Sequence, residues 1–279
     1  MRIGTRGSAL ALAQARQVAA LLGGDHEIVE VVTSGDRGDA VSDKERWVRE
    51  LDGALLDSEI DCAVHSAKDV PAWLPDGVVI AAVPARADPR DALCGAASLA
   101  ALVPGARVGT SSLRRSAQLR ALREDLEVLD LRGNVDTRLR KLSAGEYDAI
   151  VVAVAGLQRL GRGSEGVALE ELVSAAGQGC LAVTTRTGSE SVVAAIDDAP
   201  SARALVAERA LVRALEADCH TPVGAHARLS GGGLALRAFV GAPDGSAWVR
   251  DDQEGDDAEE LGARVAARLL SAGAREVLA

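Results

Sequence analysis

The chain has 279 residues, of which 48% are hydrophobic and 26% are charged, a composition typical of folded globular proteins. Its net charge of −10 argues against binding to nucleic acid or to an anionic membrane surface. The longest uncharged apolar run, residues 149–155, is too short to cross a bilayer, and the first residues do not form a signal peptide, so we expect a cytoplasmic protein.

The first third of the chain predicts alternating strands and helices. The predicted strands are residues 2–5, 27–33 and 61–66, and helices are predicted after Ser8 and over residues 47–56. This βαβ order indicates a mostly parallel sheet.

Residues from about 90 to 176 repeat the same order. The predicted strands are residues 107–109, 127–131 and 147–155, and the predicted helices are residues 111–122 and 135–142. Basic side chains recur where strands give way to helices: Arg114, Arg115, Arg132, Arg138 and Arg159.

The last third predicts a small α+β domain with an antiparallel sheet. A helix at residues 201–216 precedes a loop at 219–222. Short strands follow at residues 225–229, 234–240 and 247–250, and one helix over residues 257–278 ends the chain.

The arginines at the strand ends indicate an anion site. In open α/β sheets, ligands bind beyond the carboxyl ends of the strands, where helix N-termini present free N–H groups. Residues 102–141 contain nine basic and five acidic side chains, although the whole chain is acidic. Guanidinium groups suit carboxylates and phosphates equally, so the pattern favours a small polyanion without naming it. The alternative is that these arginines are solvated charges on helix faces.

Asp69, beside Lys68 at the end of a predicted strand, is the best candidate for acid–base chemistry. The alternative is a structural ion pair with Lys68 or an arginine. Cys219, in a loop, is a candidate nucleophile, although a lone cysteine is more often inert packing. The cysteine spacing matches no zinc site, so we expect no metal.

Eight ordered motifs resemble the porphobilinogen deaminase family. They are RGS at residues 6–8, AVHSAKDVP at 63–71, DPRD at 88–91, VGTSSLRR at 108–115, LRGNV at 131–135, AVAGL at 153–157, GQG at 177–179 and AERA at 207–210.

This resemblance implies an α/β protein with two similar doubly wound domains of the two-lobed anion-binding type and a small α+β C-terminal domain. The implied boundaries are residues 1–86 with 183–198, residues 87–182, and residues 199–279. It also implies a dipyrromethane cofactor bound covalently to Cys219. On this primer, the enzyme polymerises porphobilinogen head to tail with loss of ammonia, forms a cationic azafulvene at each addition, and releases hydroxymethylbilane by hydrolysis.

The resemblance implies catalytic roles for Asp69 and Lys68. The residues that it implies for binding the carboxylates of substrate and cofactor are Arg6, Ser8, Lys44, Ser66, Thr110, Ser111, Ser112, Arg114, Arg115, Arg132, Gly133, Arg138, Arg159 and Gln178. It further implies a monomer that takes porphobilinogen as its substrate, binds neither nucleic acid nor membrane, and passes its product to uroporphyrinogen-III synthase.

Two departures from the family pattern affect the expected activity. The lid segment, residues 42–47, is shorter and lacks the usual glycines, and Asp136 replaces a glycine between Arg132 and Arg138. We expect Lys44 to point inward from a lid that packs on Trp47. Two alternatives are a two-lobed anion-binding protein without catalysis and an impaired deaminase relative with an altered lid.

Overall fold

Three β-sheets organise the computed structural model, which describes residues 1–33, 48–218 and 221–278. Helices cover the first two sheets, and the third sheet packs against a helix pair near the C-terminus. The predicted fold class, two similar α/β units followed by a small α+β domain, is confirmed. No helix within these described ranges is both long and apolar enough to span a membrane.

The first lobe contains a five-stranded sheet in the order β2-β1-β3-β10-β4. Its elements are β1 (Arg2–Thr5), α1 (Ala9–Leu22), β2 (Glu27–Glu30), α2 (Arg49–Leu56), β3 (Cys62–Ser66), β4 (Val78–Ala82) and β10 (Leu181–Arg186). Only β10 runs antiparallel to its neighbours, so the sheet is mostly parallel as predicted.

The second lobe repeats this arrangement in the order β7-β6-β8-β5-β9, again with the antiparallel strand in fourth place. Its elements are β5 (Asp91–Cys94), β6 (Arg107–Gly109), α3 (Leu113–Leu122), β7 (Glu127–Leu129), α4 (Val135–Ser143), β8 (Ala149–Ala153), α5 (Val154–Arg159) and β9 (Val167–Leu169). The predicted strand over residues 147–155 is too long. In the structure β8 ends at Ala153 and α5 begins at Val154, whose amide donates to the Arg90 carbonyl at 3.1 Å.

The chain crosses between the lobes twice. After β4 it enters the second lobe as β5, and after β9 it returns to the first lobe as β10, where Val183 pairs with Val64 of β3. Residues 83–90 and 170–180 are therefore the two connections between the lobes.

The third domain comprises α6 (Ala199–Ala214), β11 (Val223–Ser230), β12 (Gly233–Gly241), β13 (Trp248–Gly255), α7 (Ala258–Ser271) and α8 (Ala274–Leu278). The expectation of one helix over residues 257–278 is wrong. Gly273 has φ +95°, a left-handed conformation that ends α7 and that glycine adopts without steric cost.

Small side chains allow close packing in this chain, which has few aromatic residues. A Cβ atom at Gly262 of α7 would lie 2.4 Å from the carbonyl oxygen of Ala207 on α6. The α6–α7 contact therefore requires glycine at this position, and Leu211, Leu261 and Val265 form an aliphatic core around it.

Glu208 of α6 connects the third domain to both interlobe segments. Its fully buried carboxylate accepts hydrogen bonds from Arg86 Nη1 at 2.6 Å and Nη2 at 3.2 Å. It also accepts from the amides of Gly177 at 2.6 Å and Ala227 at 2.7 Å. One side chain thus joins the two interlobe connections and β11.

We predict that Glu208→Gln destabilises the protein by about 3–5 kcal/mol, because it leaves the Arg86 guanidinium almost buried without its counter-charge. Urea unfolding should be compared with that of Glu260→Gln, which removes a carboxylate paired with Arg264 but 72% exposed. Equal midpoints for the two variants would contradict this role for Glu208.

Candidate active site

A cavity of about 810 Å³, here called the central cavity, opens where the two lobes meet the third domain. Five parts of the chain contribute to its lining: residues 67–73 after β3, the start of α3, Arg138 of α4, residues 175–178 of the second interlobe connection, and the end of α6 with the loop that follows. Strand β3 of the first sheet and strand β6 of the second both end here. The cavity therefore lies at the carboxyl ends of these strands, as the sequence predicted.

Positive charge dominates this cavity. Its charged lining residues are Lys68, Arg114, Arg115, Arg138, Arg209 and Arg213 on the basic side, and Asp69, Glu216 and Asp218 on the acidic side. A local excess of three cations in a chain of net charge −10 indicates an anionic ligand.

Asp91 of β5 fixes two of these cations. Its fully buried carboxylate accepts from Arg114 Nη1 at 2.8 Å and from Arg115 Nε at 2.9 Å. Burial alone would raise the pKa of Asp91, but the two guanidinium groups lower it well below its usual range. Asp91 is therefore ionised at neutral pH and holds both arginines at the start of α3.

Arg114 and Arg115 are thus already ion-paired inside the protein. Arg114 Nη1 also donates to the Val173 carbonyl at 2.6 Å, and Arg115 Nη1 donates to the Val151 carbonyl at 3.1 Å. The buried Arg114 Nε has no hydrogen-bond partner among the described residues. This Nε has almost no surface open to the cavity, so Arg114 acts on a ligand mainly through its charge.

Gln178, from the second interlobe segment, extends this network. Its Nε2 donates to Asp91 Oδ1 at 2.9 Å and to the Pro89 carbonyl at 2.7 Å, so its Oε1 is oriented towards the cations. Oε1 accepts from Lys68 Nζ at 3.4 Å. Gln178 therefore links the first-lobe lysine to the second-lobe arginines.

The ammonium group of Lys68 is easier to deprotonate than usual. Burial lowers its pKa to about 8, and the nearby Arg115 charge contributes to the shift. Lys68 therefore still carries its charge at neutral pH and loses it in mildly alkaline solution.

Asp69 follows Lys68 in a short 3₁₀ turn and is half-buried. It lines the central cavity and also a smaller one of about 60 Å³, together with Arg6, Ser8 and Ser66. Within residues 1–33, 48–218 and 221–278, no hydrogen bond or ion pair to its side chain is found. The structural ion pair considered from the sequence is thus absent from this part of the chain.

Serine side chains at the two cavities cap helices. Ser8 Oγ accepts from the Ala11 amide at the start of α1, and Ser112 Oγ accepts from the Arg115 amide at the start of α3. Thr110 Oγ1 accepts from the Ser112 amide at 3.2 Å. Ser111 Oγ instead accepts from Arg138 Nη2 at 2.9 Å, which aims that guanidinium at the cavity.

Burial, together with the neighbouring Arg115 charge, lowers the pKa of Arg138 to about 10. Arg138 Nε donates to the Gly133 carbonyl at 2.7 Å. Gly133 has φ +116°, and a Cβ atom there would lie 2.7 Å from Thr137 Cγ2, so only glycine fits this turn.

Seven predicted site residues of the described ranges do not line the central cavity: Arg6, Ser8, Ser66, Thr110, Arg132, Gly133 and Arg159. Arg6, Ser8 and Ser66 line the smaller cavity instead. Arg132 is 87% exposed and pairs with Asp130 at 2.9 Å. Arg159 Nη2 donates to the Gly179 carbonyl at 2.7 Å, while its buried Nε has no partner in the described ranges.

Asp136, which departs from the family pattern, does not neutralise the neighbouring site arginines. Its carboxylate pairs with Arg162 at 2.9 Å. The negative charge expected between Arg132 and Arg138 is therefore matched by an arginine outside the predicted site.

The sequence did not indicate that Asp91, Arg209 and Trp73 belong to the site. Asp91 belongs to a motif that was noted, but a strand of only four residues gave no sign of its place in the second sheet. Arg209 donates to the carbonyls of Pro71 at 2.7 Å and Ala72 at 3.0 Å, a contact that brings α6 to the cavity.

Lys44, Trp47 and Cys219 lie outside the described residues. Asp218 and Thr221, which flank the loop of Cys219, both line the central cavity. Within the described ranges, no three His, Cys, Asp or Glu side chains group so that they could hold a metal ion.

Comparison with known proteins identifies the family. Residues 1–194 match the family model "Porphobilinogen deaminase, dipyromethane cofactor binding domain", and residues 202–271 match "Porphobilinogen deaminase, C-terminal domain". The porphobilinogen deaminase of Rubrobacter xylanophilus is 47% identical over 291 residues, covering 99% of this chain and 95% of that protein. The porphobilinogen deaminase of Xanthomonas oryzae is 49% identical over 299 residues, covering 100% and 98%. The resemblance read from the motifs is confirmed, and the chain belongs to the porphobilinogen deaminase family.

Proposed function

We propose that the central cavity is where this chain joins porphobilinogen units. As a member of its family, the chain is a transferase of tetrapyrrole biosynthesis that polymerises porphobilinogen with loss of ammonia. The observation that carries the assignment to this cavity is Asp69. Its carboxylate has no partner among the described residues and lies in the same cavity as the cations and the residues flanking Cys219.

The chemistry of the lining residues fits a dipyrromethane cofactor. Each pyrrole ring bears acetate and propionate arms, and the cavity offers Lys68, Arg138 and the Ser111 hydroxyl as donors. When bound, the cofactor supplies the pyrrole carbon to which the first porphobilinogen is joined. We propose Cys219 as its attachment point, because Asp218 and Thr221, which flank it in the sequence, both line the cavity.

We assign to Asp69 the transfer of protons and the stabilisation of the positive charge that develops on the substrate. The substrate's C–N bond breaks more easily when its amine is protonated, because neutral ammonia then leaves and the positive charge passes to the pyrrole and its methylene carbon. A carboxylate at this point can hold the proton on the amine, stabilise the pyrrole N–H groups of the cation, and then accept the proton released when the new C–C bond forms.

The cations divide into those that contact carboxylates and those that set the potential. Lys68 and Arg138 face the cavity with donors, as does the neutral Ser111 hydroxyl, whereas Arg114 and Arg115 are held by Asp91 and act mainly through their fixed charge. We retain roles in carboxylate binding for the remaining predicted residues: Arg6, Ser8, Lys44, Ser66, Thr110, Ser112, Arg132, Gly133, Arg159 and Gln178.

We further propose that the chain is a cytoplasmic monomer, with the three domain boundaries expected from the sequence, and that it passes its product to uroporphyrinogen-III synthase. Two connections between the lobes support independent α/β units that keep their own cores. A non-catalytic anion-binding protein would leave the placement of Asp69 unexplained. The alternative of an impaired relative depends on residues 42–47, which lie outside the described residues.

We predict that Asp69→Asn lowers turnover by about 10²–10⁴-fold, because an amide cannot exchange the proton, while folding and substrate binding persist. Steady-state rates at saturating porphobilinogen measure the loss. Asp76→Asn, at an exposed position seven residues later, is the matched control and should retain wild-type turnover. Near-normal turnover in Asp69→Asn would refute its catalytic role.

We predict that the purified chain carries the mass of two linked pyrrole units on Cys219 and that Cys219→Ala carries none. Intact-mass spectrometry and peptide mapping measure this directly. Cys94→Ala, which deletes a buried thiol of the second lobe, should keep the added mass. Modified peptide at another cysteine, or an active chain without added mass, would contradict the assignment.

We predict that porphobilinogen binding weakens as the pH rises through about 8, because Lys68 then loses the proton that pairs it with a carboxylate. Above about pH 8, KM should rise up to about tenfold per pH unit, since the fraction of Lys68 that is protonated falls tenfold per unit. In Lys68→Arg the side chain stays protonated, so KM should no longer rise with pH. In Lys141→Arg, a change on α4, KM should rise as it does in wild type. A wild-type KM that stays flat across this range would contradict the prediction.

A further inference from the structure

Trp73 is a large aromatic side chain exposed in the wall of the central cavity. Its exposed fraction is 74%, the largest of any large hydrophobic residue in the described ranges. The whole sequence contains only three Trp, one Tyr and one Phe, and the single Phe, Phe239, is fully buried. A chain that builds its cores from aliphatic residues thus places a scarce aromatic ring in solvent at its main cavity.

The backbone beside Trp73 is held in place by the third domain. Arg209 of α6 donates to the carbonyls of Val70 at 3.4 Å, Pro71 at 2.7 Å and Ala72 at 3.0 Å. This guanidinium satisfies three consecutive carbonyls that would otherwise need water. The segment carrying Trp73 is therefore fixed against α6.

The ring itself is oriented by a second arginine. The guanidinium carbon of Arg213 lies 5.6 Å from the centroid of the Trp73 ring, within the range of a cation–π contact. Arg213 is held in turn by Glu259, whose two oxygens accept from Nη2 at 2.7 Å each. With one face of the ring turned to Arg213, its remaining exposed surface is available to a ligand in the cavity.

We propose that Trp73 is a positioning residue that stacks on a pyrrole ring of the growing chain, an inference that rests on the proposed function. A pyrrole is a flat π-system, and stacked aromatic pairs gain energy beyond simple burial. Trp73 also shares its cavity wall with Glu216, Asp218 and Thr221, next to the loop of Cys219. Lys68 and Arg138 would bind the carboxylate arms while Trp73 supports a ring.

The test compares Trp73→Leu with Trp248→Leu in holoenzyme. Trp248 is a matched control on β13, because it is 49% exposed and lies 5.1 Å from the Arg250 guanidinium but does not line the cavity. On addition of porphobilinogen, tryptophan emission should fall in wild type and in Trp248→Leu, and the fall should be largely lost in Trp73→Leu. KM should rise roughly 2- to 12-fold in Trp73→Leu, with partial rescue by Trp73→Phe.

Emission changes and KM values that are the same in Trp73→Leu and Trp248→Leu would overturn the proposal and favour a partner-docking role for this ring. Failure of the proposed function has a different signature. In that case, intact mass of wild type would show no added pyrrole units after exposure to porphobilinogen. Pyrrole addition without a contribution from Trp73 would refute only the stacking role.

Discussion

The carboxylate of Glu208 is the interaction on which the arrangement of the three domains depends. It is fully buried and accepts hydrogen bonds from Arg86 in the first interlobe connection, Gly177 in the second and Ala227 in the third domain. A buried charge is costly unless its partners surround it, so these segments must converge for the chain to fold. The next residue, Arg209, donates to the carbonyls of residues 70–72 and holds them at the cavity. One turn of α6 thus couples domain assembly to the position of the site.

A second buried carboxylate, Asp91, arranges the positive charge of the site. Without it, Arg114 and Arg115 would repel each other and would seek solvent. With it, both are held beside the cavity at the start of α3, and Gln178 connects them to Lys68. A preorganised set of charges costs no rearrangement when a carboxylate-bearing substrate arrives. This explains how an acidic chain can bind a ligand that gains negative charge with each added unit.

The sequence predicted what local patterns specify. Ser112 and Asn134 cap helices where the strand-to-helix transitions indicated, and the basic side chains lie at those transitions. The pairing of Asp91 with Arg114 could not be predicted, because it depends on β5 entering the second sheet antiparallel, and four residues carry too little pattern to show this. Glu208 resembled any charged residue on an amphipathic helix, since its burial comes from segments distant in sequence. Trp73, in a proline-flanked loop, had no periodicity that would relate it to the cavity.

The most direct test of the central claim is a crystal structure of holoenzyme soaked briefly with porphobilinogen. We expect pyrrole density continuous with Cys219 in the central cavity, with carboxylates within hydrogen-bond distance of Lys68 and Arg138 and a ring near Asp69. Pyrrole density confined to the separate groove lined by Arg90, Glu170 and Arg237 would contradict this assignment.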